Sequence, residues 1–555
     1  MSSERLIYLP LGGAGEIGMN AYVYGYGAPD KERLIVVDLG VTFPDMDGSP
    51  GVDLIFPDIT WLEERKDQIE GIFITHAHED HVGAVGLLWE RLGAPIYART
   101  FTANIATRKL SEKHLPEGIV RTVGAYPAVT KCGPFTVSVV PMSHSIPESG
   151  GLLIETPTER VFHSGDFKID KTPVVGEPFD EDMLSEIAKG GIKALVCDST
   201  NVFSEHAGRS EAELAKPLQA LIEEQKGMVV ATTFASNIAR LKTLAVAAQN
   251  AGRSICLLGR AMRRMVEAGI ETGILSDFPS VISPEDAASI PRENVMLLVT
   301  GSQGERRAAS AQLSQGKYLG LSLKEGDTFI FSSKTIPGNE RGVIRIMNAL
   351  SEKGVEVIDD RGGLYHVSGH ANRPDLKKLH QIMQPQMLIP MHGEHRHLRE
   401  HVKLGAESGI TGVIAVNGTM VNLSANRPEV CGYVETGRTY LDGSVQIGAL
   451  DGIVRDRIRM ALNGHVTATL IIDEHDEPLG DPWCELMGLP EMGRNNAPLV
   501  DVLEEDLSQF INRADDKTLL DDDELETQLR RIIRNSCQNE IGKKPEVTII
   551  ISRLN

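Results

Sequence analysis

The sequence predicts an α/β fold: a layered α/β sandwich made from two separated stretches of chain, a parallel-sheet domain inserted between them, and a small C-terminal α/β domain. Three observations predict it. Residues 1–205 alternate short apolar strands with tight turns, and residues 206–364 change to a repeated pattern of strand, small polar loop and helix. Histidine-rich strand ends then return after 364, resuming the chemistry of the first stretch.

In the first stretch the segments RLIYLPL, NAYVYGYG, RLIVVDLG, GIFITH, FTVSVVPMSH, GLLIETPTERVFHSGD and KALVCDST are apolar runs or alternations closed by Gly, Pro or Asp, which is the pattern of strands. The insertion contains GMVVATTFASNIARLKTLAVAAQ, SICLLGRAMRRMVEAG, NVMLLVTGSQGERRAAS and DTFIFSSKTIPGNERGVIRIMNAL. Such repetition makes a parallel sheet with helices on its faces and ligands at the carboxyl ends of its strands. Residues 365–445, with LYHVSGHANR and MLIPMHGEHRHL, complete the sandwich, and 446–464 read as a linker. The C-terminal domain, 465–555, opens on strand HVTATLIID, continues through helical stretches near 498–512 and 523–538, and closes on strand EVTIIISRL. The acidic runs Asp473–Glu477 and Asp521–Glu526 read as solvated loops or helix starts, where negative charge suits the helix dipole.

A chain of 555 residues exceeds what one core organises, and 41% hydrophobic with 24% charged residues is ordinary globular composition. No apolar run approaches the ~18 residues of a membrane span. The start, MSSERLIYLPLGG, lacks the marks of a secretory signal, so a cytoplasmic protein is expected. Cys132, Cys197, Cys256, Cys431, Cys484 and Cys537 are far apart, with no spacing that suggests disulfides or a thiolate zinc site; any metal is expected on histidine and carboxylate. The net charge of −21 gives no sign of a nucleic-acid partner.

The strongest motif is Thr75-His76-Ala77-His78-Glu79-Asp80-His81, between an apolar strand and a helical stretch. Residues two apart on extended backbone point the same way, so His76 and His78 can meet one metal while Asp80 and His81 at the turn face another. Imidazole with carboxylate is the ligand set of zinc and manganese hydrolases. His144 in PMSHS and Asp166 in HSGDF end strands and are read as further ligands. His392 in PMHGE completes the set, and an aspartate such as Asp166 can bridge two ions. The neighbouring His395 and His397 read as surface residues. Gly13-Ala14-Gly15-Glu16-Ile17-Gly18 is literally GxGxxG, but the next residues read as a strand and not a helix, so the dinucleotide geometry is missing. A tight strand connection near the metal site is expected instead.

HAHEDH, SHS, SGD and a late PMHGE histidine, together with the inserted α/β region, resemble the ribonuclease J family, in the β-CASP branch of the metallo-β-lactamase superfamily. The resemblance runs from LGGAGEIGMN and DLGVTFPD through CDSTN, TFASN, SGHA and the C-terminal domain. It implies a metallo-β-lactamase αββα sandwich with a β-CASP insertion. It also implies one metal on His76, His78, His144 and Asp166 and a second on Asp80, His81, Asp166 and His392, with Asp38 supporting the metal loop. The remaining family positions fall on Asp198, His370 and His392. Histidine at the last is the pattern of members acting on RNA, whereas many acting on DNA carry valine.

His370 sits among Ser368, Gly369 and Ala371, a small-residue loop whose N–H groups can approach phosphate, or which is a structural turn. Ser236 and Asn237 precede a helix, where they either receive a phosphate or cap it. Ser302, Gly304, Asn339 and Arg260 occupy similar strand-end loops. Phe43 is read as stacking on a base at the cleft mouth, or as a buried turn aromatic.

The resulting expectation is a metal-dependent ribonuclease with two divalent ions per chain, zinc first, with manganese or magnesium accepted by the same ligands. By resemblance it is a 5′-to-3′ exonuclease preferring 5′-monophosphate ends, with endonuclease activity, working on RNA in ribosomal RNA processing and decay. Asp80, His370 and Asp198 are the expected catalytic residues. A homodimer or homotetramer, with no membrane partner, is implied. A hydrolase of small esters or thioesters shares the ligands, and a DNA-acting β-CASP nuclease is the other alternative. The ester hydrolase leaves the inserted domain unexplained.

Overall fold

The computed structural model describes residues 4–360, 362–494 and 496–554. The chain divides into two compact units, Met1–Thr42 with Phe56–Arg438, and Phe43–Ile55 with Thr439–Asn555.

The larger unit holds the sandwich. One sheet has eight strands, in the order Glu429–Tyr433, Thr419–Asn422, Arg5–Gly12, Ala21–Gly27, Arg33–Val37, Ile69–Phe73, Ile96–Ala98 and Val120–Thr122. The other has seven: Thr411–Gly412, Met387–Met391, Ala194–Asp198, Arg160–His163, Gly150–Glu155, Phe135–Pro141 and Thr130–Cys132. Side-chain alternation assembles the core between them. Tyr8, Tyr22, Tyr24, Ile35 and Val37 from one sheet meet Val137, Leu152, Ile154, Val161, Val196 and Ile389 from the other. Each such aliphatic side chain, fully removed from water, contributes roughly 1.5–3 kcal/mol. The opposite face of the seven-stranded sheet, with Leu153, Phe162, Leu195, Cys197 and Leu388, packs on helices through Leu184, Leu376, Leu379 and Leu404.

The chain leaves the sandwich after Ala194–Asp198 and is back on it by helix Arg373–Met383, ahead of strand Met387–Met391, which neighbours Ala194–Asp198. These two strands pair in parallel, residue for residue, from Ala194 opposite Met387 to Asp198 opposite Met391. The excursion contains a five-stranded sheet ordered Ser254–Leu258, Val295–Val299, Val229–Thr232, Thr328–Phe331 and Glu356–Ile358, all parallel. Its strands are nearly continuous apolar runs because helices cover both faces.

In the smaller unit the strands Trp483–Met487, His465–Ile472 and Glu546–Arg553 form a sheet, with His465–Ile472 central. Val466, Ala468, Leu470 and Ile472 turn to the helices Leu499–Ile511 and Asp522–Ile541. On the same sheet Trp483, Met487 and Ile550 are exposed. Asp521 caps its helix by accepting from the Glu524 N–H, and Asp473 closes a turn by accepting from His475 and Glu477. The segment read as a linker, 446–464, carries a helix over Ile453–Asn463. Its polar composition concealed the helix because only Val454 of it is buried. Among the described residues no helix is long and apolar enough to cross a membrane.

Candidate metal centre

Strand Ile69–Phe73 ends beneath the turn that carries the histidines. Asp38, fully buried with φ 65°, accepts from the Thr75 backbone N–H at 2.8 Å and from the Thr75 hydroxyl. It also receives His81 Nδ1–H at 2.7 Å. The Asp38 loop and the turn lie so close that a Cβ on Gly40 would stand 1.7 Å from the Asp80 carbonyl oxygen, which only glycine permits.

Two donor groups assemble here. His76, His78, His144 and Asp166 bring one ligand atom each to within 4.8 Å of one another, and so do Asp80, His81, Asp166 and His392. Asp166 belongs to both. Its Oδ2 lies 3.2 Å from His81 Nε2 and 3.3 Å from His392 Nε2. The second nitrogen of four of these rings is engaged elsewhere. His76 Nδ1 meets the Thr75 hydroxyl at 3.0 Å and His81 Nδ1 meets Asp38. His144 Nδ1 donates to the Gly369 carbonyl at 2.6 Å, and His392 Nδ1 donates to Asn20 Oδ1 at 2.9 Å. Such contacts fix ring orientation and leave the other nitrogen facing inward. His392, like Asp38, is a non-glycine residue with positive φ, here 49°, a conformation held by its N–H bond to the Gly13 carbonyl.

Asp198 adds a third element. Its Oδ2 accepts from His370 Nδ1 at 2.8 Å, while Oδ1 accepts from the Thr200 N–H and hydroxyl. His370 Nδ1 also lies 3.9 Å from Asp166 Oδ2.

The electrostatics divide these imidazoles into two classes. Burial, reinforced by the neighbouring rings, holds His76 and His144 well below the ordinary histidine range and pushes His78 down to about 4. Burial acts the same way on His370, but the Asp198, Asp166 and Asp80 carboxylates outweigh it and raise it to about 9. Asp166 lies well below the usual carboxylate range: burial opposes this, and His392, His81 and His370 overcome it.

The donor set fits divalent ions. His78 Nδ1 faces His76 Nε2 at 3.0 Å and His144 Nε2 at 3.1 Å, so neutral rings converge their nitrogens with too few protons to join them all. Asp166 Oδ1 is buried with no hydrogen-bond partner among the described residues. A cation satisfies both conditions, and three imidazoles with a carboxylate are a ligand set of zinc.

Other expected residues fall out differently. The Ser368 hydroxyl accepts from Asn201 and from the His370 N–H, so that N–H is not free for phosphate. Gly369 contributes its carbonyl to His144, and Ala371 packs into the hydrophobic core beside the helix layer. Neither contact bears on the two backbone N–H groups, and a phosphate contact through them stays a proposal. Asn237, not Ser236, caps the helix Ile238–Asn250, its side-chain oxygen accepting from the Arg240 N–H; Ser236 is half-buried and precedes the cap. Phe43 is exposed and belongs to the smaller unit. Ser302 is buried, and the Asn339 amide donates to Gln303. Gly304 packs against Gly342, and Arg260 opens a helix. His395 is exposed as expected, but His397 is buried against Phe203, because its turn of helix faces the sheet.

Sequence reasoning missed Asn20. It orients His392, donates to the Asp80 carbonyl at 2.9 Å and accepts from Tyr22. Its one signal was the glycine-rich connection before it, whose residues Ala14–Gly15 pair with Gly393–Glu394 beside His392. It also missed Thr233 and Ser333, whose hydroxyls are buried without partners among the described residues, just past the ends of the paired strands Val229–Thr232 and Thr328–Phe331.

Four family descriptions match the chain. They are "Metallo-beta-lactamase superfamily" over residues 15–187, "Ribonuclease J, beta-CASP domain" over 226–350, "Zn-dependent metallo-hydrolase RNA specificity domain" over 363–415 and "Ribonuclease J C-terminal domain" over 452–554. The chain is similar to a ribonuclease J of Sinorhizobium meliloti at 40% identity, covering 99% of this chain and 98% of that one. It is similar to one of Mycolicibacterium smegmatis at 35%, covering 90% and 89%. A solved structure of a protein of unknown function from Enterococcus faecalis V583 shares the fold, with a TM-score of 0.52 at 16% identity, over 75% of this chain and 100% of that one.

Proposed function

Because this chain belongs to the ribonuclease J family, we propose that it hydrolyses RNA phosphodiesters as a two-metal nuclease, degrading from 5′-monophosphate ends towards the 3′ end and also cutting internally. Its roles are RNA maturation, including that of ribosomal RNA, and RNA decay. The observation that carries this reading is Asp166, shared by two donor groups, with the His370–Asp198 pair beside it.

His76, His78, His144 and Asp166 would hold one ion, and Asp80, His81, Asp166 and His392 the other. Zinc suits the set best, and manganese or magnesium is also accepted. When bound, two such ions activate water near neutral pH and offset the charge that develops around phosphorus. The protein's own groups supply the rest. Asp198 keeps His370 protonated, so the ring can hydrogen-bond a phosphate oxygen or give a proton to the leaving oxygen. Asp38 and Asn20 fix His81 and His392.

Direction must come from the groove, because the chemistry itself is symmetric. The start of helix Ile238–Asn250, Ser236 before it, and the hydroxyls of Thr233 and Ser333, unpartnered among the described residues, support a pocket for one terminal phosphate. Phe43, as an exposed aromatic, is assigned to base stacking. Homodimers or homotetramers are supported by the exposed Trp483, Met487 and Ile550 on the C-terminal sheet. A cytoplasmic location is supported by six cysteines, none of which forms a disulfide among the described residues.

The test compares one RNA bearing a 5′ monophosphate or a 5′ triphosphate, with and without chelator. Processive, chelator-sensitive degradation of the monophosphate form is expected. Equal rates on both ends would remove the pocket, and hydrolysis unaffected by chelator would remove the metal mechanism.

A further inference from the structure

A second convergence of metal-binding side chains lies outside the centre described above. Cys197, His380 and His401 are 0%, 1% and 0% exposed, and the sulfur and one nitrogen from each ring all lie within 4.8 Å of one another. Alternation along strand Ala194–Asp198 turns Val196 to the core between the sheets and Cys197 to the helix layer. There the helices Arg373–Met383 and His395–Glu407 present His380 and His401.

The two rings stack at an interplanar angle of 11°, with Nε2 facing Nε2 at 3.0 Å. That is the spacing at which His76, His78 and His144 direct their nitrogens to one point. Ser199 Oγ donates to the Cys197 carbonyl at 3.3 Å, which leaves it to accept from His401 Nδ1–H at 2.9 Å. This contact fixes the tautomer and aims the His401 Nε2 lone pair at His380. His380 Nδ1 is buried without a hydrogen-bond partner among the described residues. A single His380 Nε2–H can close the contact between the rings, so it is the Cys197 sulfur converging on the same two nitrogens, and not the unpartnered Nδ1, that points to a metal.

We propose that Cys197, His380 and His401 form a structural metal site of thiolate and imidazole chemistry, occupied by zinc. Thiolate and imidazole are both zinc ligands, here supplying three of the four positions zinc takes, and the sulfur disfavours magnesium, calcium and manganese. The three ligands lie on three elements that each adjoin an active-site residue. Cys197 immediately precedes Asp198, the His380 helix follows the His370 loop, and the His401 helix follows His392. An ion at this point ties those elements together from behind the catalytic pocket. No sequence spacing announces the site, because its cysteine is remote from both histidines along the chain.

X-ray absorption at the zinc edge of the zinc-loaded full-length protein tests this, because the donors proposed for the catalytic ions include no cysteine. Sulfur scattering at about 2.3 Å reports only a thiolate site. The wild type is expected to show it, and Cys197→Ser and His380→Leu should each lose it together with one equivalent of zinc. Cys256→Ser should keep both. His78→Ala should lose catalytic zinc but retain the sulfur signal, which separates this proposal from the hydrolytic assignment. A wild-type spectrum without sulfur, or a sulfur signal that survives Cys197→Ser, would overturn it, and the wild-type spectrum decides even if the variants fail to fold.

Discussion

His144 Nδ1 donates to the carbonyl oxygen of Gly369 at 2.6 Å, joining a ring of the candidate metal centre to the loop that carries His370. A Cβ on Gly369 would stand 2.9 Å from His144 Cε1 and 2.8 Å from the Ser145 hydroxyl. Gly369→Ala should therefore displace both the ring and the loop. Losses of this supporting kind typically cost about 10–100-fold in metal affinity or activity. Metal titration together with turnover checks it, and a variant with wild-type values for both would dissociate the loop from the centre.

His78→Ala and Asp80→Ala should abolish hydrolysis and reduce bound metal. Both positions are half-buried on a turn, so the loss of stability should stay within the roughly 0.5–3 kcal/mol of ordinary substitutions. Near-normal turnover by either metal-saturated variant would remove it from the ligand set.

A pH profile tests the pairing of His370 with Asp198. If the His370 cation gives a proton, activity falls as pH rises through its pKa, which the nearby carboxylates raise against the effect of burial. Asp198→Asn removes the leading carboxylate, so the alkaline limb of kcat/KM should move to lower pH. A limb that stays in place while activity drops would leave Asp198 with orientation alone.

His366 provides a stability test away from the metals. Burial, helped by Arg240, Lys334 and Lys168, pushes it down to about 3. An unfolded histidine binds its proton below about 6.5, so between these values the unfolded chain holds more protons than the folded one. The contribution is complete above the unfolded pKa and is lost progressively as pH falls toward 3. Denaturant midpoints at pH 7 and pH 5 should differ less in His366→Gln than in the wild type. Identical differences would show that His366 titrates freely.

Ser236→Ala should narrow the preference for 5′-monophosphate over 5′-triphosphate RNA while sparing internal cleavage. Rates on the two ends and on a circular RNA measure this. An unchanged ratio would move the terminal pocket to Thr233 and Ser333.

The sequence made the centre legible because its donors lie at strand ends in short, chemically distinctive words: HAHEDH, SHS, SGD and PMHGE. It left the supporting residues obscure. Asn20 acts through a fold contact with His392, 372 positions away, and nothing local distinguishes it from any asparagine after a turn. Asn237 was visible as a helix start, but sequence alone did not decide between capping and phosphate contact. In the SGHA loop, which read as an anion nest, the His370 N–H is taken by the Ser368 hydroxyl and the Gly369 carbonyl by His144, contacts that no local sequence pattern announces. The helix Ile453–Asn463 was hidden because it buries too little apolar surface to leave a periodic stripe.

The parallel pairing of Ala194–Asp198 with Met387–Met391 bears on how the protein is made. Until the second strand emerges, the first is a bare apolar edge with open hydrogen-bonding groups, a template for mispairing. The roughly 190 residues between them take on the order of 10–40 s to translate at about 5–20 residues per second. During that interval the nascent sandwich has Asp166 and the HAHEDH turn; His370 is made only near its end and His392 only after it. The inserted domain, whose parallel strands and helices are all contained in the intervening chain, can fold in this interval. The ribosome therefore delivers His392 only after the strands of the inserted domain are complete, and a half-made chain holds the first donor group but not the whole of the second.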